Sequence, residues 1–366
     1  VMEKAGISGR LINLAEKCLG HIRGGMAMVC VVVSCFFAAI SGSGPATVAA
    51  LGLIMIPALV KAGYPASFSC ALMAAGGAIG VVIPPSITFV VYGSIADASI
   101  TDLFVAGVVP GLLMGLGLIV AAMLMGRRMD LKVLPKASGK ERLAAFKDAF
   151  WGLLMPVIIL GGIYGSVFTP TEAAAVSVVY GLFVGVFIYR EVKWKDMGEL
   201  LVDSGKTTGG IMLIIGSATL FAYICTIHGI SQAAQGLLLD IAGNKIVFLL
   251  IVNVIFLIAG CFVDANSAMY IFIPIMYPVA QQLGINLVHF GVLSTVNLAI
   301  GQVTPPVGVN LFVAIGVADK LQGLKDKTKV TIASMSKAVW PMILACVITL
   351  LIVTYVPFFS TVFLKG

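Results

Sequence analysis

Four short runs in this sequence place oxygen-bearing and helix-breaking residues where helical hydrogen bonding has to stop. Ser41-Gly42-Ser43-Gly44-Pro45-Ala46-Thr47 and Asp264-Ala265-Asn266-Ser267 interrupt two long apolar stretches near their middles, and Pro84-Pro85 and Pro305-Pro306 interrupt two more. Adjacent prolines remove two N–H donors, so no continuous helix passes them. Such a break leaves carbonyls unpaired at one half-helix end and N–H groups unpaired at the other. In hydrocarbon an unpaired group is costly unless an ion, a ligand or water satisfies it. Carbonyl, Ser, Thr and Asn oxygens suit a hard cation such as sodium, while free N–H ends suit a carboxylate. Gly80, Pro84 and Pro85, and Gly301, Thr304, Pro305 and Pro306, therefore read as a pair of sodium sites, against the plainer reading of two membrane-helix kinks.

In the first run, the hydroxyls and amides around Ser41 and Ser43 would touch ion and substrate; the alternative is a set of small residues that lets helices pack closely. Intramembrane serine proteases also use a Gly-flanked Ser, but they need Gly two positions before the nucleophile, where Ser41 precedes Ser43 here. The candidate histidines His228 and His289 both border the outer face. Asp264, four residues beyond Gly260, is the most deeply placed acid. It is either a functional intramembrane carboxylate, hence a candidate proton carrier, or a helix cap shared with Asn266 and Ser267. Glu172, behind Thr169-Pro170-Thr171, reads as a cap. The seven cysteines sit singly, without a CxxC pair, and read as small apolar fillers.

The elements that position these groups are apolar helices. Of the 366 residues, 60% are hydrophobic and 11% charged, and the mean hydropathy is +1.09. Those are too few charges for a soluble surface of this size, so the chain is expected to be an all-α polytopic membrane protein. Uninterrupted helical stretches exclude an outer-membrane barrel, and the composition excludes a nucleic-acid-binding domain and a secreted disulfide scaffold. Spans are expected at about 66–93, 104–126, 149–168, 171–190, 208–228, 287–317 and 338–359. Those at 66–93 and 287–317 are broken helices, and residues 25–60 and 245–283 read as re-entrant helical hairpins. Residues 1–24 are expected as an amphipathic surface helix, 127–148 as a cytoplasmic loop, and 149–241 as scaffold helices. Arg127-Arg128 and Lys325, Lys327 and Lys329 read as basic rims against lipid headgroups, and Trp151, Trp194 and Trp340 as interfacial anchors.

Residues 25–126 and 245–359 read as two copies of one plan: hairpin, broken helix, helix. Ala78-Ile79-Gly80-Val81-Val82-Ile83-Pro84-Pro85 and Ala299-Ile300-Gly301-Gln302-Val303-Thr304-Pro305-Pro306 share six identities in eight, and Ile54-Met55-Ile56-Pro57 matches Ile271-Phe272-Ile273-Pro274. Placing residues 1–24, 61–65, 127–148, 190–206 and 319–337 in the cytoplasm gathers 21 of the 23 Lys and Arg residues there, leaving Lys245 and Lys365. The hairpins then enter from opposite faces, the copies are inverted, and the C-terminus lies outside. Inverted repeats with discontinuous helices belong to secondary transporters. The second copy is preceded by a span and a short helix, the first by a short helix alone, so at least one further span is expected upstream of Val1.

At S-G-S-G-P-A-T-V-A-A-L-G, A-I-G-V-V-I-P-P-S and N-L-A-I-G-Q-V-T-P-P-V-G-V-N, and at Phe168-Thr169-Pro170-Thr171-Glu172-Ala173-Ala174-Ala175, the chain resembles the large membrane subunit of tripartite ATP-independent periplasmic (TRAP) transporters. That resemblance implies an elevator mechanism in the bacterial inner membrane. It implies sodium coupling and a carboxylated substrate, of sialic acid or C4-dicarboxylate type, delivered by a periplasmic binding protein to a complex with a small membrane subunit, separate or fused. Carried over by motif, the first sodium site would use Ser41 and Ser43 with carbonyls at Gly80, Ile83 and Pro85. The second would use Gly260 with Gly301, Thr304 and Val307, and substrate would lie between Ser43, Ser86, Asn266, Ser267 and Asn310. The competing readings are an ion channel and a proton-coupled transporter of the same architecture; an enzyme lacks paired acids or a metal cluster in the core.

Overall fold

The computed structural model describes residues 1, 4–127, 129–321 and 330–364; Arg128, Lys325, Lys327, Lys329, Lys365 and Gly366 lie outside them. Every element among the described residues is helical. An amphipathic helix α1 (Ile7–Leu19) precedes a helical hairpin of α2 (Gly25–Ser41) and α3 (Gly44–Lys61). The broken helix follows as α4 (Ala66–Val82) and α5 (Ile87–Ala96), then α6 (Ile100–Gly126). Helices α7 (Gly139–Tyr164), α8 (Pro170–Phe183), α9 (Met197–Ile227) and α10 (Ile230–Ala242) connect to a second hairpin, α11 (Lys245–Phe262) and α12 (Ala265–Gln282). The second broken helix is α13 (Leu287–Gly301) and α14 (Val309–Lys320), and α15 (Ile332–Tyr355) and α16 (Phe358–Thr361) close the chain. Eight helical segments among the described residues are long and apolar enough to cross a membrane.

Local chemistry explains most boundaries. Gly42 ends α2 at φ 63°, where a side chain would be strained, and Pro45 lies in the first turn of α3, so the chain reverses within two residues. Asp264 starts α12 by accepting from the Asn266 N–H at 3.0 Å. Thr169 and Glu172 form a reciprocal capping box at α8, the role expected for Glu172.

One surface expectation changes, and one helix starts earlier than its apolar span. Residues 127–148 are not loop throughout, because Ser138 and Glu141 form a second capping box that starts α7 at Gly139, ten residues before the apolar run. Likewise α9 begins at Met197, inside the charged stretch 190–206, behind the 3-10 turn Trp194–Asp196. Charged residues outside the bilayer are good helix formers, and hydropathy marks the membrane window, not the helix end.

The broken helices form the centre. In the apolar window of Ala66–Ala96, 94% is buried, against 6% for the segment containing α9. Peripheral α1 is tied down through Arg10, whose guanidinium lies 3.9 Å over the Tyr189 ring, 3.2 Å from Asp148 and 3.3 Å from Glu191. Lys4 reaches Glu199 at 2.9 Å, and that hydrogen bond holds its ammonium above the ordinary lysine pKa.

At the other end, a buried polar network joins α11, α13, α15 and α16. Asn253 accepts from Asn297 and donates to Thr354 at 3.2 Å, while His289 bridges Ser360 at 2.6 Å and the Thr354 carbonyl at 3.3 Å. Asn253→Leu would leave those partners unpaired at a cost of about 1–3 kcal/mol each. Thermal unfolding in detergent should show Tm lowered by roughly 3 °C or more. An unchanged Tm would mean the network does not stabilise the fold.

Candidate functional site

Each hairpin tip docks into the break of the helix that follows it. At the first, the Ile87 N–H donates to the Gly42 carbonyl at 3.3 Å. Gly80 faces the same tip: a Cβ there would lie 2.7 Å from Thr47 Oγ1 and 3.0 Å from the Ser43 carbonyl. A Cβ on Gly42 would lie 2.7 Å from the Pro85 carbonyl. Ser41 Oγ lies 2.8 Å from Thr47 Oγ1 and 3.1 Å from the Ser43 carbonyl, which also accepts from Thr47 at 2.8 Å. Thus Ser41, Ser43, Gly80 and Pro85 share one neighbourhood. Ile83 is at the break as well, but its side chain packs toward Gly111.

The second tip repeats the arrangement. The Gly308 N–H donates to the Cys261 carbonyl at 3.0 Å. Gly260 and Gly301 meet backbone to backbone: a Cβ on Gly301 would be 2.5 Å from the Gly260 Cα and 3.1 Å from its carbonyl oxygen. Only glycines permit this approach. Thr304 Oγ1 donates to the Ile300 carbonyl at 2.8 Å and keeps its lone pairs, while Val307 lies next to the Gly308 N–H that binds the hairpin.

The tips also cross over. Thr88, in the first turn of α5, donates to Asn266 Oδ1 of the second hairpin at 3.1 Å. Gln302 and Asn310, flanking the second break, pack against Gly44 of the first hairpin. Asn310 donates to the Ala74 carbonyl at 3.3 Å, yet its Oδ1 and Gln302 Oε1 are buried without a partner among the described residues. Two carbonyl oxygens without a donor, next to the first tip, demand a proton donor or a cation.

Beside the first tip lies a cavity of about 400 Å³ whose lining includes Ser41, Gly42, Pro85, Ser86, Phe104, Ile159, Thr171 and Ser177, drawn from the hairpin, α5, α6, α7 and α8. This volume suits a small organic molecule. Its lining carries hydroxyls and backbone groups but no Lys or Arg. The N-terminal ends of α5 and α8 both reach it, and both are capped: Thr169 and Glu172 serve the α8 amides, while the Ser86 hydroxyl accepts from the Phe89 N–H at 3.4 Å and the Gly42 carbonyl from the Ile87 N–H at α5.

Of the residues expected around substrate, Ser86 lines this cavity, with its hydroxyl donated to the Val81 carbonyl across the break. Asn266 is reached through Thr88, and Ser43 is outside the cavity lining, its carbonyl facing Gly80. Asn310 is fully buried at the crossing of α3, α4 and α14, and Ser267 lines a separate cavity against Leu213, Ser217 and Phe221 of α9. Asp264 is half-buried and spends one oxygen on its cap. Thr88 and Gln302 lie outside the expected set, and Thr47 belongs to the expected tip run but not to the ligands carried over by motif. Gln302 had a signal, since it and Thr304 are the two polar replacements, for Val81 and Ile83, between the matching motifs.

Membrane-length apolar helices, two docked hairpins and a cavity sized for a small molecule define a multi-pass membrane permease. Residues 1–359 match the family model of the tripartite ATP-independent periplasmic transporter, DctM component, and the chain belongs to that family. It is 43% identical over 356 residues to the C4-dicarboxylate TRAP transporter large permease protein DctM of Pseudomonas aeruginosa, covering 97% of this chain and 81% of that protein. Against the isethionate TRAP transporter permease protein DctMQ of Oleidesulfovibrio alaskensis, identity is 46%, over 97% of this chain and 55% of that protein. The sialic acid TRAP transporter large permease protein SiaM of Vibrio cholerae is 36% identical, over 98% and 82%. These relatives are permeases, in keeping with a chain that is not an enzyme.

Proposed function

We propose that the chain is the large membrane subunit of a sodium-driven importer of a small organic anion in the inner membrane, working by an elevator movement of two inverted repeats. The observation that carries this reading is the fourfold engagement of tips and breaks: each hairpin closes on its own broken helix and touches the other, with backbone and hydroxyl oxygens gathered at both junctions. Sodium at each junction would satisfy those oxygens and supply the positive charge that the cavity lining lacks. Named substrates of the relatives are C4-dicarboxylate, sialic acid and isethionate, all small anions carrying a carboxylate or sulfonate. A carboxylated acid is the class we favour. Closed tips support a gated carrier over an open channel.

A small membrane subunit and a periplasmic binding protein would complete the machine. The exposed α9, with Leu213 73% and Tyr223 62% accessible, supports a helical neighbour on the scaffold side. The test is uptake into proteoliposomes holding both membrane subunits, with the binding protein outside, using labelled succinate, sialic acid and isethionate. Accumulation should follow an inward sodium gradient with a Hill coefficient above one. Thr304→Ala, which removes a hydroxyl oxygen from the second junction, should raise the half-saturating sodium concentration about tenfold, one lost contact's worth, at unchanged abundance. Uptake driven by a proton gradient and indifferent to sodium would overturn the coupling and shift attention to Asp264. Single-channel conductance would overturn the carrier.

A further inference from the structure

On the outer side of α6 and α15, away from both hairpin tips, two cavities of about 490 and 710 Å³ share Leu124, Met125 and Pro341 and so form one groove. Its shaft is apolar and shallow because small residues, Gly117 and Ala121 on one helix and Ala345 and Thr349 on the other, face each other along it. The end of the groove beyond Met125 and Pro341 is cationic. Arg127 lines that end directly, and Lys337 lies four residues before Pro341, on the same face of α15. Both side chains belong to exposed residues, and neither forms an ion pair among the described residues. Trp340, 57% exposed, stands beside Pro341 at the level of a membrane interface.

We propose that this groove is a binding site for an anionic phospholipid, with the headgroup phosphate held by Arg127 and Lys337 and one acyl chain lying along the α6–α15 shaft. Charge decides the occupant: a neutral helix or a zwitterionic lipid would fill the shaft but leave both cations without a counter-charge. The site is independent of the ion and substrate junctions.

Trp340 supplies the reporter. In phosphatidylcholine vesicles containing the chain with its small membrane subunit, the fluorescence difference between the parent and Trp340→Phe isolates this tryptophan. Brominated phosphatidylglycerol should quench it at about a tenfold lower mole fraction than brominated phosphatidylcholine, as expected for two cations at a lipid surface. Arg127→Gln with Lys337→Gln should bring the two lipids to parity while quenching by brominated phosphatidylcholine persists, which also reports that the groove remains folded. Gly117→Leu, whose Cβ has ordinary contacts of 3.5 Å to the Ala345 carbonyl and Thr349, should fill the shaft and weaken quenching by both. Parity in the parent, or a preference that survives removal of both charges, would overturn the site. So would protection of Trp340 from both lipids in the assembled complex, the result expected if a partner helix fills the groove.

Discussion

Gly301→Ala is expected to weaken sodium binding at the second junction roughly a hundredfold while leaving the chain inserted. The new Cβ would sit 2.5 Å from the Gly260 Cα, and that obstacle is backbone, so no side chain can turn away. Helices α11 and α13 would have to separate by about an ångström, an overpacking cost of about 1–3 kcal/mol. Oxygen ligands of a hard cation sit within a few tenths of an ångström of their ideal distance, so that displacement removes contacts outright. Losing two of them at about 1.4 kcal/mol each weakens the ion roughly a hundredfold. The measurement is thermal unfolding of the purified protein in sodium chloride against choline chloride. Sodium should raise the Tm of the parent, as any ligand that binds only the native state does, and should raise it by clearly less for Gly301→Ala, in which only the first junction still binds the ion. A full sodium response in this variant would rule out an ion at the Gly260–Gly301 junction.

Gly80→Val tests the first junction by the same logic with a different obstacle. Its Cβ would meet the Thr47 hydroxyl at 2.7 Å, which can rotate, but also the Ser43 carbonyl at 3.0 Å, which cannot. The two γ-methyls then occupy the space where the Ser41, Ser43 and Thr47 oxygens converge. The half-saturating sodium concentration for uptake should rise by roughly a hundredfold, and the Hill coefficient should fall toward one because the second junction is untouched. Gly80→Ala should lie between the two. If Gly80→Val kept both the sodium affinity and the Hill coefficient of the parent, the first junction would not hold a coupling ion. Sodium-dependent stabilisation measured alongside uptake separates loss of the ion from loss of the protein.

The breaks could be read from composition because Pro-Pro and Ser-Gly-Ser-Gly-Pro forbid helix whatever surrounds them; the constraint is local and steric. The same holds for the Glu172 box, where cap and partner are three residues apart. Gln302 and Asn310 show the opposite case. Nothing near them in sequence says that they pack on Gly44, more than 250 residues away, or that each is left with a buried oxygen lacking a partner. Ser267 shows how a motif can mislead: it follows Asn266 by one residue, and the 100° turn of a helix sends Asn266 to Thr88 and Ser267 to the cavity against α9.

By itself the sequence determined that the chain is a helical membrane protein, where its helices must stop, and that hairpin and broken helix occur twice, since hydropathy, proline and glycine act over a few residues. The tertiary structure decided which tip meets which break. Gly42 on Pro85 and Ile87, Gly260 on Gly301, Asn266 on Thr88 and Gly44 on Gln302 are contacts between segments distant in the chain. They form because backbone groups freed by the breaks cannot stay unpaired in an apolar interior, and the hairpin tips carry the small residues and oxygens able to reach them.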